Sequence, residues 1–171
     1  FARIIKANDR RVHASPMRIK DGRFKMDLGA LAASLTGDEK IMFLCSPHNP
    51  GGRVWSAEEL RNVALFCETH DIILVSDEVH HDLIMPGHSH TILAKVAPEI
   101  SRRLITLVAT SKTFNIAGIE TGSMLIPDPA LRQRVARVRH AMNISNNRFG
   151  MLMAEAAYRG GDEWLDKLIP Y

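Results

Sequence analysis

The sequence has little cysteine and no long apolar run. A membrane span needs about 20 consecutive apolar residues, and no stretch of the 171-residue chain approaches that length. Nothing near the first residue resembles a secretory signal. The two cysteines, Cys45 and Cys67, lie in apolar stretches, which favours buried free thiols in a reducing compartment over a disulfide. We therefore predict a cytoplasmic protein with no membrane partner.

Glycine-rich nucleotide motifs are also missing. The sequence contains neither a G-x-G-x-x-G run nor a P-loop lysine, so a dinucleotide or triphosphate site has no support. The formal net charge is +3, and much of the basic excess falls within residues 132–140. Apolar residues recur there at helical spacing, without interleaved aromatic residues. We therefore predict an amphipathic helix with a solvated basic face, and no nucleic-acid partner.

What the sequence does contain is an alternation of apolar runs and helical patterns. Continuous apolar runs bounded by turn residues indicate strands that are buried on both faces, and capping residues indicate where the helices between them begin. The alternation predicts a three-layer α/β domain with a mostly parallel sheet. The predicted strands are 41–45, 72–75, 104–108 and 123–126, with a short strand at 11–15, and the other predicted helices are 1–8, 28–35, 56–69, 149–159 and the segment from 162 onward.

Three polar residues follow three of the predicted strands. Asn49, Asp77 and Lys112 each come just past the carboxyl end of an apolar run. In open α/β sheets, ligands bind outside the carboxyl ends of the strands. The pattern therefore predicts that an amide, a carboxylate and an amine meet at one edge of the sheet.

The residues alone leave the chemistry of this edge open. We expect Lys112 to be partly desolvated, which would make its amine a nucleophile and a base, but a strand-end lysine can also reach water or pair with an acid. Asp77 can pair with a cation such as a protonated ring nitrogen. With Glu78, His80 and His81 it forms the strongest metal candidate of the chain. Strand periodicity sends neighbouring side chains to opposite faces, however, and we predict no metal site.

Four ordered motifs resemble a known enzyme family. Together they are similar to the fold-type I pyridoxal-phosphate enzymes of the class I/II aminotransferase superfamily. More narrowly, they resemble its carbon–sulfur β-lyases of the cystathionine β-lyase and maltose-regulon modulator type. The resemblance extends over nearly the whole chain from about Asn8. The motifs are Ser46–Trp55 (SPHNPGGRVW), Ser76–His80 (SDEVH), Ser111–Gly118 (SKTFNIAG) and the late run Ala156–Asp166.

The resemblance implies a pyridoxal 5'-phosphate cofactor and a role for each motif. Lys112 would be the catalytic residue and would carry the cofactor as a Schiff base. Asp77 would pair with the protonated pyridine nitrogen, and Asn49 would hydrogen-bond the phenolic oxygen. The other expected cofactor-binding residues are His80, Thr110 and Ser111, the last two at the phosphate.

Three positions favour the lyase branch. His80 stands where ordinary aminotransferases more often carry a tyrosine. Ala109 and Glu120 stand where those enzymes usually place a hydroxyl residue and an arginine on the phosphate, and we expect Glu120 to point away. The resemblance thus implies a β-lyase that converts cystathionine or a cysteine-like amino acid to a thiol, pyruvate and ammonia. An aminotransferase, or a regulatory protein of the same fold, is the alternative.

The resemblance also implies a longer protein. The glycine-containing phosphate turn, the ring-stacking aromatic residue and the substrate-carboxylate arginine of such enzymes are not recognisable, and the chain begins with Phe1. We expect residues 1–161 to belong to the large cofactor-binding domain and residues 162–171 to begin the helix that leads to a smaller domain. We expect a homodimer at full length, and an inactive chain when this fragment stands alone.

Overall fold

Four of the predicted apolar runs pair into one sheet in a computed structural model, which describes residues 1–171. No helix combines the length and the apolar character that a membrane span requires. The strands are β1 (Arg18–Lys20), β2 (Arg23–Lys25), β3 (Ile41–Cys45), β4 (Ile73–Asp77), β5 (Leu104–Val108) and β6 (Ser123–Leu125). The helices are α1 (Ala2–Ala7), α2 (Leu28–Ser34), α3 (Ala57–Thr69), α4 (Leu93–Val96), α5 (Thr110–Thr113), α6 (Pro129–Ala141), α7 (Arg148–Gly160) and α8 (Asp162–Leu168).

The four-stranded sheet has the order β3-β4-β5-β6. β3, β4 and β5 run parallel, whereas β6 pairs antiparallel with β5. Parallel neighbours need a crossover connection, which α3 supplies between β3 and β4 and α4 supplies between β4 and β5. The prediction of an α/β domain with a mostly parallel sheet is confirmed.

The strand predictions differ in how well they match. The strands predicted at 41–45 and 104–108 are confirmed at both ends. The strand predicted at 72–75 runs instead from Ile73 to Asp77, because Asp77 still belongs to the ladder, opposite Cys45. The strand predicted at 11–15 is wrong, since that segment forms no ladder and the first pairing is the hairpin of β1 with β2.

Helix beginnings follow the capping residues. The side chain of Asp27 accepts a hydrogen bond from the Ala30 N–H at 2.9 Å and begins α2. Ser56 and Glu59 make both hydrogen bonds of the capping box that begins α3. These bonds satisfy N–H groups that have no partner inside the helix. The helices predicted at 1–8, 28–35, 56–69 and 149–159 are each confirmed to within one residue at either end.

One face of the sheet carries the core, which consists of 14 buried residues. The strands contribute Leu44, Leu74 and Leu104, and α2, α3 and α4 cover them. By strand alternation Phe43 and Ile105 point the other way, and both are only half-buried. β6 is exposed throughout. The expectation that the strands are buried on both faces is confirmed for β4, where Leu74 and Val75 are both buried. It is wrong for β3 and β5, whose residues on the second face are at most half-buried.

Two helices expose contrasting surfaces. The predicted basic helix is α6, and Arg132, Arg134 and Arg137 are exposed on it. α7 exposes apolar side chains, among them Phe149 at 76% and Leu152 at 62% of their full area. α6 thus presents exposed arginines, and α7 presents exposed apolar side chains.

Gly161 joins α7 to α8 at a point where no side chain fits. A Cβ atom at this position would overlap the Phe114 ring and the carbonyl oxygen of Ala157. On the other side, the ring of Phe114 contacts Trp164 of α8 with the ring centroids 5.6 Å apart. The close approach of Gly161 therefore allows α8 to pack against the segment that follows Lys112.

We expect Gly161→Ala to lower the free energy of unfolding by about 1–3 kcal/mol, because the added methyl group overpacks this contact. Gly160→Ala is the matched control. A Cβ atom there meets nothing within 4 Å, and alanine favours the helix by up to about 1 kcal/mol. Urea unfolding of both variants measures the difference, and equal effects would contradict the packing role of Gly161.

A polar cluster holds the segment before β1. His13 Nδ1 lies 2.8 Å from Glu39 Oε1, and His13 Nε2 lies 2.9 Å from Ser34 Oγ. The N–H group of Gly37 also donates to the Glu39 carboxylate at 3.0 Å. Burial acts to raise the pKa of Glu39, but hydrogen bonds from the backbone and from the Thr36 and His13 side chains outweigh it and lower the pKa to about 2.

This shift predicts a pH-dependent stabilisation by Glu39. A carboxyl group whose pKa is lower in the folded state stabilises the fold above its unfolded pKa, and the contribution disappears as the pH falls through the folded pKa. Glu39→Gln should therefore lower Tm at pH 7, and the difference from wild type should shrink as the pH falls from 4.5 toward about 2. Thermal unfolding followed by circular dichroism between pH 7 and the acid limit of folding tests this. A Tm difference that is constant with pH would contradict it.

Candidate active site

The carboxyl ends of β3, β4 and β5 meet at one edge of the sheet. Asp77 is opposite Cys45 of β3 on one side and opposite Leu107 of β5 on the other. Asn49 lies in the loop that leaves β3, and Lys112 lies in the turn that leaves β5. The structure therefore brings the amide, carboxylate and amine segments to a common edge, with the carboxylate on the middle strand.

The loop 46–55 is tightly hydrogen-bonded. The N–H of His48 donates to the carbonyl oxygen of Arg53 at 2.7 Å. Trp55 is buried, and its indole N–H donates to the carbonyl oxygen of Cys45 at 2.9 Å. The two bonds close the loop on itself and tie its end to the end of β3.

The thiol of Cys45 holds the part of the loop that carries Asn49. Its Sγ donates to the carbonyl oxygen of Pro47 at 3.2 Å and accepts from the Asn49 N–H at 3.4 Å. Burial raises the pKa of Cys45, the Asn49 N–H lowers it, and the charge of Asp77 raises it, with a net increase. The thiol therefore stays protonated and able to donate. Both peptide bonds before Pro47 and Pro50 are cis, and the Asn49 side chain is exposed.

Both cysteines are free thiols, as predicted. Cys67 is buried in the core, where burial raises its pKa to about 12. Cys45 is only half-buried, because it faces the less covered side of the sheet.

Arg53 fixes the far end of the loop to α3. Its Nη2 lies 2.6 Å from Glu59 Oε1, and its guanidinium carbon lies 4.7 Å from the centroid of the Trp55 ring. Burial acts to raise the pKa of Glu59. The hydrogen bond from the Ser56 backbone and the charge of Arg53 outweigh this effect, so the pKa is lowered. One carboxylate thus caps a helix and anchors the loop beside the candidate site.

The acids at the end of β4 point to opposite sides of the sheet. Asp77 is half-buried, and its Oδ1 accepts a hydrogen bond from the Val79 N–H at 3.3 Å. Glu78 is buried on the core side, where Ser76 Oγ donates to it at 3.0 Å and His90 Nε2 lies 2.7 Å from Oε2. Buried carboxylates need such partners. Asp77 therefore faces the candidate site, and Glu78 belongs to the core.

Because the two acids point to opposite sides of the sheet, Asp77 and Glu78 cannot bind one metal ion together with His80 and His81. His81 Nδ1 lies 2.8 Å from the carbonyl oxygen of Glu78, and its Nε2 faces Asp82 Oδ1 at 3.3 Å. No group of three or more His, Cys, Asp or Glu side chains is arranged to hold a metal ion.

The turn after β5 presents Lys112 to the solvent. α5 is a single turn, Thr110–Thr113, and its two ends face inward, with Thr110 and Thr113 buried. Lys112 points outward and is exposed, and Ser111 is half-buried. The expectation that Lys112 is partly desolvated is therefore wrong in this chain, because a one-turn helix that buries its first and fourth residues exposes the third. Glu120 is also exposed.

Two buried polar atoms at this edge have no hydrogen-bond partner. They are Thr110 Oγ1 and His80 Nδ1. Native proteins leave few buried polar atoms unpaired, and each such atom needs an explanation. The Thr110 side chain is 2% exposed, and it lies two residues before Lys112. A polar group that binds at this edge would supply the missing partners.

Sequence reasoning missed three residues that organise the site. The pattern around Cys45 predicts only a buried thiol, and nothing in it shows that the sulfur bonds the Asn49 loop. Asp82 and Thr113 form a hydrogen bond across 31 positions. The chain offers no periodic signal for such a pair. Thr113 lies within the motif Ser111–Gly118, and Asp82 lies two residues after the motif Ser76–His80.

The sequence matches the family model described as Aminotransferase class I and II over residues 1–168. The chain belongs to the aminotransferase class I and II family. The resemblance carried by the four motifs is thereby confirmed.

Similar proteins include two curated relatives and one solved structure. The chain is 38% identical over 178 residues to "Cystathionine beta-lyase PatB" of Bacillus subtilis, a match that covers 100% of the chain and 45% of that protein. It is 33% identical to "Protein MalY" of Escherichia coli, over 100% of the chain and 44% of that protein. Cystalysin from Treponema denticola, whose crystal structure contains a pyridoxal 5'-phosphate cofactor, superposes with a TM-score of 0.90 at 36% identity, over 96% of the chain and 42% of cystalysin. The chain thus spans less than half of the length of these relatives.

The buried threonines of α5 should respond oppositely to loss of the hydroxyl group in the unliganded protein. Thr110→Val removes a buried atom without a partner and should leave the free energy of unfolding unchanged or raise it by up to about 1 kcal/mol. Thr113→Val leaves the Asp82 carboxylate without its donor and should lower the free energy of unfolding by about 1–3 kcal/mol. Urea unfolding compares the two. A Thr110→Val loss as large as that of Thr113→Val would show that the Thr110 hydroxyl is bonded within the protein.

Proposed function

We propose that the protein is a pyridoxal-phosphate-dependent carbon–sulfur β-lyase that acts on cystathionine or a cysteine-like amino acid. The observation that carries the proposal is the set of polar groups at the carboxyl edge of the parallel sheet. A lysine amine, a carboxylate on the neighbouring strand and two buried polar atoms without partners lie at one edge of a parallel sheet. A phosphorylated pyridine ligand suits that set of groups.

The residues present fit this cofactor. Asp77 would pair with the ring nitrogen, Asn49 would hydrogen-bond the phenolic oxygen, and Lys112 would bond the carbonyl carbon through its amine. Thr110, with Ser111, would donate to the phosphate. The unpaired Thr110 hydroxyl supports this assignment, since a phosphate oxygen is a strong acceptor.

His80 would lie beside the ring. Its buried Nδ1 without a partner is the second atom that a bound cofactor would satisfy. When bound, the cofactor supplies an electron sink for the charge that develops at the substrate Cα.

The chain's own residues would divide the remaining work. Lys112 is exposed, and its amine would move a proton from the substrate Cα. The Asp77 carboxylate, oriented by the Val79 N–H, would hold a proton on the ring nitrogen. The hydrogen-bonded loop 46–55 would keep Asn49 in place. Loss of the thiolate from Cβ then gives a thiol, and hydrolysis of the remainder gives pyruvate and ammonia.

The lyase is preferred to the aminotransferase alternative on specific residues. His80, Ala109 and Glu120 each depart from the usual aminotransferase pattern, and PatB, which bears the name cystathionine beta-lyase, is 38% identical. Lys112 and Asp77 would have the same roles in either reaction. The two reactions differ in whether a keto-acid acceptor is required.

We also propose the wider organisation. Residues 1–161 would form part of the cofactor-binding domain, and α8, within 162–171, would lead into a smaller domain. The apolar surface of α7 supports a homodimer at full length. The two free thiols suit a reducing compartment such as the cytoplasm.

The test is covalent trapping in the full-length protein. Borohydride reduction of the cofactor-loaded protein should fix the cofactor on Lys112, as located by peptide mass mapping. The wild-type protein should release pyruvate from cystathionine without a keto acid. Lys112→Ala should lower that rate by about 10³-fold or more, whereas Lys95→Ala, which changes an exposed lysine of α4, should leave it unchanged.

Each possible failure has a distinct meaning. A rate that depends on an added keto acid would replace the lyase by an aminotransferase. Cofactor binding without turnover of any amino acid would favour a regulatory protein. Substantial activity of Lys112→Ala would overturn the assignment of Lys112.

A further inference from the structure

Asp82 links the two segments that carry the candidate site residues. Thr113 Oγ1 donates to Asp82 Oδ2 at 2.9 Å. Asp82 lies in the loop that leaves β4, two residues after His80, and Thr113 is the last residue of α5, directly after Lys112. Among the side-chain hydrogen bonds of the structure, this one alone joins residues 77–90 to residues 109–118.

The bond is largely shielded from water, and His81 lies beside its acceptor. Thr113 is 0% exposed, and Asp82 is half-buried. His81 Nε2 lies 3.3 Å from Asp82 Oδ1. Burial, and then the charge of Asp82, raise the pKa of Tyr158 in α7. Hydrogen bonds in such a shielded setting are stronger than exposed ones.

The turn that Asp82 holds has little stability of its own. α5 is a single turn of four residues, far shorter than a helix that is stable alone. Lys112 is exposed, and its amine takes part in no hydrogen bond or ion pair of the structure. The position of the amine therefore depends on the backbone of this turn, and Thr113 makes the side-chain hydrogen bond that joins the turn to the β4 loop.

We propose that Asp82 is a positioning residue for Lys112, and that it acts through the Thr113 hydroxyl to hold the amine in register with Asp77. This rests on the proposed function, because it assigns a task within that site. Asp82 itself does not touch the reacting atoms. Its contribution is to keep two loops, from neighbouring strands, in one relative position.

Four variants of the full-length protein separate positioning from simple packing. Asp82→Ala and Thr113→Val remove the bond. Asp82→Asn keeps an oxygen acceptor, and Thr113→Ser keeps the hydroxyl donor. Each is measured for the rate at which the apoprotein takes up pyridoxal phosphate, followed at the visible absorbance band, and for kcat and KM per mole of cofactor fixed by borohydride.

The two variants that lose the bond should slow cofactor uptake and lower kcat by about tenfold each, with KM within about threefold of wild type. Asp82→Asn and Thr113→Ser should stay within about threefold in all three quantities. The double variant Asp82→Ala/Thr113→Val should be no slower than either single variant, because both remove the same interaction.

Asp38→Ala is the matched control. It removes an exposed aspartate paired with Arg11 at 2.6 Å, before β3 and at the opposite edge of the sheet, and should leave uptake and kcat unchanged.

Two results would overturn the inference. The first is wild-type uptake and kcat in Thr113→Val, whatever its Tm, since the bond would then be structural only. The second is an equal loss in Thr113→Ser and Thr113→Val, because the hydroxyl would then be irrelevant. If Asp82→Ala fails to fold, the two Thr113 variants still decide. Failure of the wild-type protein to fix cofactor on Lys112 would instead overturn the proposed function, and this inference with it.

Discussion

The parallel ladder of β3, β4 and β5 is the constraint on which the candidate site depends. It continues past the strands, with the Ser46 N–H donating to the Asp77 carbonyl oxygen and the Glu78 N–H donating to the Leu107 carbonyl oxygen, both at 2.9 Å. Parallel strands end at the same edge of a sheet. The ladder therefore converts three polar stretches that are distant in sequence into one cluster. The loop bonds of Cys45, Trp55 and Arg53 then fix what the ladder has already brought together.

Side chains alternate along β4, so the two acids at its end point to opposite faces of the sheet. Glu78 faces the core and is satisfied by Ser76 and His90, while Asp77 faces the candidate site. Removing a partner from a buried carboxylate is costly, so the core side of this strand end resists displacement. Because Asp77 is the neighbouring residue, its backbone is held in place as well. A strand end holds a carboxylate in place more precisely than a flexible loop does.

Much of the fold and part of the site could be predicted from sequence, and the division has a physical basis. Strands such as 41–45 and 104–108, and the caps at Asp27 and Ser56, are determined by local pattern. Asn49, Asp77 and Lys112 could be placed at one edge because that placement needs only the strand ends. The exposure of Lys112 could not be predicted, since it depends on which residues of a four-residue turn face inward. Nor could the Asp82–Thr113 bond, because it depends on the packing of two loops.

The surfaces of α6 and α7 differ in how salt should affect their contacts with other molecules. α6 presents exposed arginines, and α7 presents exposed phenylalanine and leucine side chains. Mutual repulsion between cationic surfaces keeps molecules apart at low ionic strength, and its range falls to about 10 Å in 0.1 M salt. Attraction between apolar surfaces is not screened in this way. We therefore expect the isolated chain to stay dispersed best in dilute, low-salt buffers.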